Sequence, residues 1–196
     1  MGARPQLIRR VVRQPHVMSP MNVAELLEFL RTQGTTWVEN QRATHRPAGR
    51  RLSPSEHASL ALFFDSPLLE RVRITEVPEI SNPDFYALLE QQGISMPLDY
   101  TQMAGITFVD TIVVSLARSV PISEWPALLF HEMVHVVQYE QFGLEEFVRR
   151  YVNGWAENGF SYDQIPLERC AYELDARFRQ GQGSFPVADV VAQQLA

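Results

Sequence analysis

The sequence predicts an α+β fold in which a small, mostly antiparallel sheet packs on one apolar helix and is followed by a helical C-terminal part. The 196 residues, 45% hydrophobic and 20% charged, are sufficient for one buried core. Apolar residues recur at helical spacing in several segments, and two β-rich runs lie next to each other between them. Residues 21–196 are therefore expected to form a single domain. Residues 1–20, with three prolines and no sustained periodicity, are expected to form an N-terminal arm.

The first half of the chain is predicted to contain three helices and one strand. Asn22 is a suitable N-cap for the first helix, and Gly34 is expected to end it. A Ser-Pro pair begins the second helix, an alternating run follows as a strand, and Gly93 ends the third helix. In chain order, these segments are the helices at 22–33 and 53–64, the strand at 71–77 and the helix at 82–93.

The second half is predicted to form a hairpin and four helices. Two β-rich runs meet near Val109 and Asp110, which indicates a turn between two short strands. The helix that follows is unusually apolar, and Gly143 is expected to end it. The hairpin is at 106–117, and the helices are at 124–142, 144–152, 166–179 and 187–195.

The apolar helix carries the sequence His-Glu-Met-Val-His at 131–135. Residues four apart lie on one helix face, so His131 and His135 can both reach a tetrahedral Zn²⁺ at about 2.0–2.1 Å. Glu132 points elsewhere, and it can lie beside the open position of the metal and accept a proton from zinc-bound water. The alternative is a pair of hydrogen-bonded core histidines with Glu132 paired to an arginine. Three polar groups in so apolar a helix are satisfied more easily by one metal ion.

A catalytic zinc needs a third protein ligand, and no histidine follows His135. The segment 165–178 is the only later helix rich in acidic residues. Glu168 is the preferred ligand because it lies in the first turn and shares a face with the small Ala171. The alternative is a surface glutamate that interacts favourably with the helix dipole. A phenol that stabilises an oxyanion could come from any of four tyrosines, among which the sequence does not choose: Tyr139, Tyr151, Tyr162 and Tyr172.

Composition excludes several other classes of function. All 17 basic residues are arginine, so Schiff-base and phosphate-loop lysine chemistry is absent. Residues 1–51 hold nine arginines against three glutamates, but no repeated stacking aromatics accompany them, and nucleic-acid binding is not expected. A single cysteine and the lack of a long apolar run lead us to expect a cytoplasmic protein without a disulfide or a membrane partner.

At these residues the chain resembles the zincin metallopeptidases, and within them the gluzincin branch, in which a glutamate on a downstream helix is the third zinc ligand. In that branch a small residue and an aspartate typically follow the glutamate three and four positions later. Here Ala171 matches the small residue, but Tyr172 stands where the aspartate is expected. Residues 105–178 also resemble uncharacterised bacterial zincin-like proteins, through GITFVDTIVVS, LLFHEMVHVVQYEQFG and IPLERCAYELDARF. The resemblance implies a zincin-like fold and an edge strand before the metal helix that binds extended substrate. Four residues fit that strand: Ile112, Val113, Val114 and Ser115.

The predicted function is a zinc-dependent metallopeptidase that acts on a peptide or protein substrate, with Glu132 as the general base. One alternative is a zinc-stabilised binding module without catalytic activity, suggested by the missing aspartate at Tyr172. A second alternative is a structural protein that binds no metal.

Overall fold

The fold is described by a computed structural model for residues 21–196, and the arm expected at 1–20 lies outside the described residues. The prediction of an α+β fold is confirmed. Within 21–196 the elements are, in chain order, α1 Val23–His45, α2 Pro54–Leu60, α3 Ser66–Arg71, β1 Arg73–Val77, α4 Phe85–Gln91, β2 Gly105–Phe108, β3 Thr111–Ser115, α5 Trp125–Phe142, α6 Leu144–Glu157, α7 Pro166–Arg179 and α8 Val187–Gln194.

The sheet has the order β1-β3-β2 and is mixed. β1 is parallel to β3, from Arg73 opposite Thr111 to Val77 opposite Ser115, and β2 is antiparallel to β3. The prediction of a mostly antiparallel sheet is therefore wrong. Residues between β1 and β3 include α4, and this long connection provides the crossover that a parallel pair requires.

The predicted hairpin is confirmed, and its turn is held by an ion pair. Val109 has a φ of 62°, an uncommon value for a β-branched residue. Asp110 beside it accepts hydrogen bonds of 2.7 and 2.9 Å from Arg42 of α1, and Arg46 lies 3.0 Å away. Burial alone would raise the pKa of Asp110, but the two guanidinium groups outweigh it and lower the pKa. The turn is thus tied to the C-terminal end of α1.

Helix α1 is almost twice as long as predicted because Gly34 does not end it. Asn22 and Glu25 form the reciprocal capping hydrogen bonds at its start, as the sequence indicates. Gly34 lies inside the helix and faces α6, where a Cβ atom would come to 3.2 Å from Val148 Cγ1. The glycine therefore permits close packing of two helices, and this tertiary contact outweighs its low helix propensity.

Helix α5 is the centre of the molecule. It packs against β2, α6, α7 and α8, and 12 of its residues are buried. Gly143, with a φ of 75°, ends it as predicted. The predicted bounds of α7 are confirmed, α6 extends beyond residue 152, and the short α3 was not predicted.

Among residues 21–196, no helix combines the length and the apolar character that crossing a bilayer would require.

Candidate metal centre

Three donor atoms converge between α5 and α7. His131 and His135 lie on successive turns of α5, and Glu168 lies in the first turn of α7. The two Nε2 atoms are 3.2 Å apart, and Glu168 Oε2 lies 3.5 and 3.4 Å from those of His131 and His135. Metal–ligand distances of about 2.0–2.1 Å in a tetrahedral zinc site correspond to donor–donor distances of about 3.3 Å. The donor spacing therefore fits a tetrahedral ion.

The electrostatics of this group also fit a cation. All three residues are buried, and Glu168 Oε2 is a buried oxygen that accepts no hydrogen bond from residues 21–196. Burial raises the pKa of Glu168, but the adjacent imidazoles outweigh it and hold the pKa well below the ordinary range, so the carboxylate is charged. A buried anionic oxygen without a partner is costly. A divalent ion bound between the three donors would remove that cost.

Gln138 fixes the orientation of His135. Its Nε2 donates to the main-chain oxygen of Leu167 at 2.9 Å, so its Oε1 faces His135 Nδ1, also at 2.9 Å. An amide oxygen only accepts, so Nδ1 carries the proton and the lone pair of Nε2 in the neutral ring is directed at Glu168. The same side chain ties α5 to the turn that carries Glu168.

Two tyrosines also contact the cluster. The hydroxyl group of Tyr151 donates to Glu168 Oε1 at 2.9 Å, and burial raises the pKa of Tyr151 well above its ordinary value, which keeps it a neutral donor. The ring of Tyr172 lies 4.6 Å from that of His131 between centroids. Where the gluzincin pattern has an aspartate, this chain has an aromatic contact with the first histidine.

Glu132 is not part of the three-residue group, but it lines the same cavity as His135 and Glu168. It is buried on the side of α5 that faces β2, where the hydroxyl group of Thr107 is 2.7 Å from Oε2 and 3.1 Å from its main-chain oxygen. Its Oε1 faces Gly105, where a Cβ atom would come to 2.8 Å. Glycine at this position therefore leaves room for the carboxylate.

The predicted substrate-binding residues do not lie on an edge strand. Ile112, Val113, Val114 and Ser115 belong to β3, which pairs with β1 on one side and β2 on the other. Their main-chain groups are used within the sheet, so the expected edge position of this strand is wrong, and substrate binding by these residues stays a prediction. Within the part of the chain that the structure describes, β2 is the edge strand that contacts Glu132, and it pairs only with β3.

Sequence reasoning missed three residues that contact the site: Gln138, Thr107 and Gly105. Gln138 had a signal, since it is a polar residue three positions after His135 in an apolar helix. Thr107 and Gly105 had none, because their contact with Glu132 depends on how β2 packs on α5.

No family model, curated protein or solved structure matches the chain. The class of protein is therefore defined by the fold and the site alone: an α+β protein with a buried His-His-Glu group that could hold a metal ion.

Proposed function

We propose that the chain is a zinc-dependent metallopeptidase that hydrolyses peptide bonds. His131, His135 and Glu168 hold Zn²⁺, and Glu132 is the general base. One observation carries this proposal: three buried donor atoms lie 3.2–3.5 Å apart, and one of them is a carboxylate oxygen that accepts no hydrogen bond from residues 21–196.

The donor set favours zinc over other divalent ions. Two imidazoles and one carboxylate are typical of catalytic zinc, whereas Ca²⁺ and Mg²⁺ prefer a shell of oxygen atoms. Structural zinc sites usually have four protein ligands, and catalytic sites have three and an open position. Residues 21–196 offer three donors in this group, which supports a catalytic site.

When bound, Zn²⁺ supplies an acidified water molecule and polarises the carbonyl group of the substrate. Glu132 accepts the proton of the attacking water and passes it to the leaving amine. Thr107 holds one oxygen of this carboxylate, and the other oxygen faces Gly105 and takes the proton. Tyr151 and Gln138 keep Glu168 and His135 in position.

A zinc-stabilised binding module without catalysis is the second candidate. The contact of Tyr172 with His131 favours it, because an aspartate that would strengthen this histidine as a ligand is missing. Both candidates predict that zinc binds stoichiometrically. They differ in one respect, because the binding module cleaves no substrate.

The experiment is a measurement of zinc content together with casein cleavage. We expect one zinc ion per chain and proteolysis that a chelator blocks and Zn²⁺ restores. Glu132→Gln should keep the zinc and abolish cleavage, and Glu145→Gln, a change at an exposed position of α6, should keep both. Chelator-sensitive cleavage by Glu132→Gln would contradict the assignment of the base. Stoichiometric zinc in an inactive wild-type protein would favour the binding module.

A further inference from the structure

A mostly apolar chamber of about 120 Å³ opens beside the candidate metal centre. Glu132, His135 and Glu168 form part of its wall. Its remaining walls come from α1, α4, α6, β2 and the segment 96–103, and they include Leu30, Trp37, Val38, Met96, Val148 and Val152.

The ionisable acidic and basic side chains on the chamber walls are few. Apart from Glu132, His135 and Glu168, the lining that residues 21–196 provide contains no acidic residue, arginine or histidine. Two of the polar groups there are already engaged, because Tyr151 donates to Glu168 and Thr107 donates to Glu132. A charged group placed deeper in the chamber would lose its hydration without gaining a partner of opposite charge, which is costly. The rest of the chamber therefore suits an apolar group.

The size of the chamber limits what it can hold. An apolar cavity of about 150 Å³ admits benzene in another protein, so a chamber of about 120 Å³ has room for one branched aliphatic group or one small ring. Gly34 and Val148 both line the chamber and lie next to each other in its wall. A Cβ atom at Gly34 would come to 3.2 Å from Val148 Cγ1. α1 and α6 are therefore in close contact at this part of the wall.

We propose that this chamber binds one apolar side chain of the substrate, of the size of leucine or methionine, at a residue that flanks the cleaved bond. The inference rests on the proposed peptidase function for the identity of the ligand. It concerns a different part of the molecule, the apolar walls rather than the metal ligands. Burial of one such side chain corresponds to a preference of about 10- to 100-fold over alanine.

The test compares three hydroxamates, those of N-acetyl-leucine, N-acetyl-alanine and N-acetyl-glutamate, by calorimetric titration of the zinc-loaded chain. We expect a Kd about 10- to 100-fold lower for the leucine compound than for the alanine compound, with no gain for glutamate. Val152→Phe fills the chamber and should remove the preference for leucine. The matched control is Val190→Phe, a change at a half-buried position of α8 that does not line the chamber. Equal affinity for leucine and alanine in the wild-type protein would overturn the proposal.

A second measurement needs neither zinc nor turnover. Toluene should raise the Tm of the metal-free wild-type chain and of Val190→Phe, and it should not raise that of Val152→Phe. A wild-type chain that toluene does not stabilise would overturn the proposal, even where the filled variant fails to fold. Absence of casein cleavage together with leucine selectivity would instead overturn only the peptidase function.

Discussion

Removal of zinc from the proposed site should make the stability of this protein strongly dependent on pH. In the metal-free chain, burial would lower the pKa of His135, but the charge of Glu168 outweighs it and raises the pKa from 6.5 to about 9. The protonated imidazole then takes the place of the metal as the partner of the carboxylate. A group with a raised folded-state pKa stabilises the protein fully below its unfolded pKa and loses that effect as the pH rises through its folded pKa.

The two pKa values of His135 set the pH range of this stability loss and its size. Stability of the metal-free chain should fall between pH 6.5 and 9, by at most about 3 kcal/mol, because each unit of pKa difference corresponds to about 1.4 kcal/mol. Glu168 does not contribute to the change of stability between pH 6.5 and 9, because its lowered pKa affects stability only as the pH falls below 4.5. Burial raises the pKa of Cys170 from 9.0 to about 11, so the thiol changes stability only at higher pH. Zinc competes with the proton at His135, so the apparent zinc affinity should rise with pH by up to about tenfold per unit.

The assay is urea unfolding followed by circular dichroism from pH 6.5 to 9, with and without stoichiometric zinc. The decline should appear in the chelator-treated chain and be absent from the zinc-loaded chain. His135→Gln should remove it, and His57→Gln, a change on α2 outside the cluster, should leave it in place. Stability of the metal-free wild-type chain that does not change over this range would refute the reasoning.

Three further predictions concern single substitutions. Gln138→Leu removes the acceptor that orients His135, so zinc should bind about 10- to 100-fold more weakly in a titration against a chromophoric chelator. Unchanged zinc affinity would count against the role of Gln138 in orienting His135. Gly105→Ala places a Cβ atom 2.8 Å from Glu132 Oε1, and casein turnover should fall about 100-fold while zinc content stays the same; a change in zinc content would show a wider disturbance. Asp110→Asn weakens the ion pair that holds the hairpin turn to α1, and urea unfolding should show a loss of about 1–2 kcal/mol, smaller at high salt; a loss independent of salt would show that charge is not its cause.

The elements that the sequence predicts well are those fixed by local physics. The hairpin, α5 and α7 each have a pattern of apolar residues with a turn or end signal beside it, and such signals act within a few residues. Gly34 shows the limit of this reasoning. It has the local signature of a helix end, but its actual role depends on Val148, which is 114 positions away in the chain. No local pattern contains that information.

The candidate site also combines features that follow from local spacing with features that depend on contacts between separate helices. The spacing of His131 and His135 follows from the helical repeat, and the face shared with Ala171 was enough to select Glu168 among the later acids. The direction of the Glu168 carboxylate depends on Tyr151 and on the link from Gln138 to α7. These contacts join separate helices, so they become visible only in the folded chain.

The wrong expectation that β3 is an edge strand has a different origin, because the residues of this strand do not favour an edge position. All five residues of β3 are buried, and a nearly continuous apolar run is typical of a strand covered on both faces and paired on both edges. The edge role came only from the resemblance to zincins and from the position of this strand directly before the metal helix. β2, with its glycine and threonine beside Glu132, has the pattern of a strand that leaves one edge available. The main chain of the proposed substrate should therefore be sought along β2, next to Glu132 and the apolar chamber.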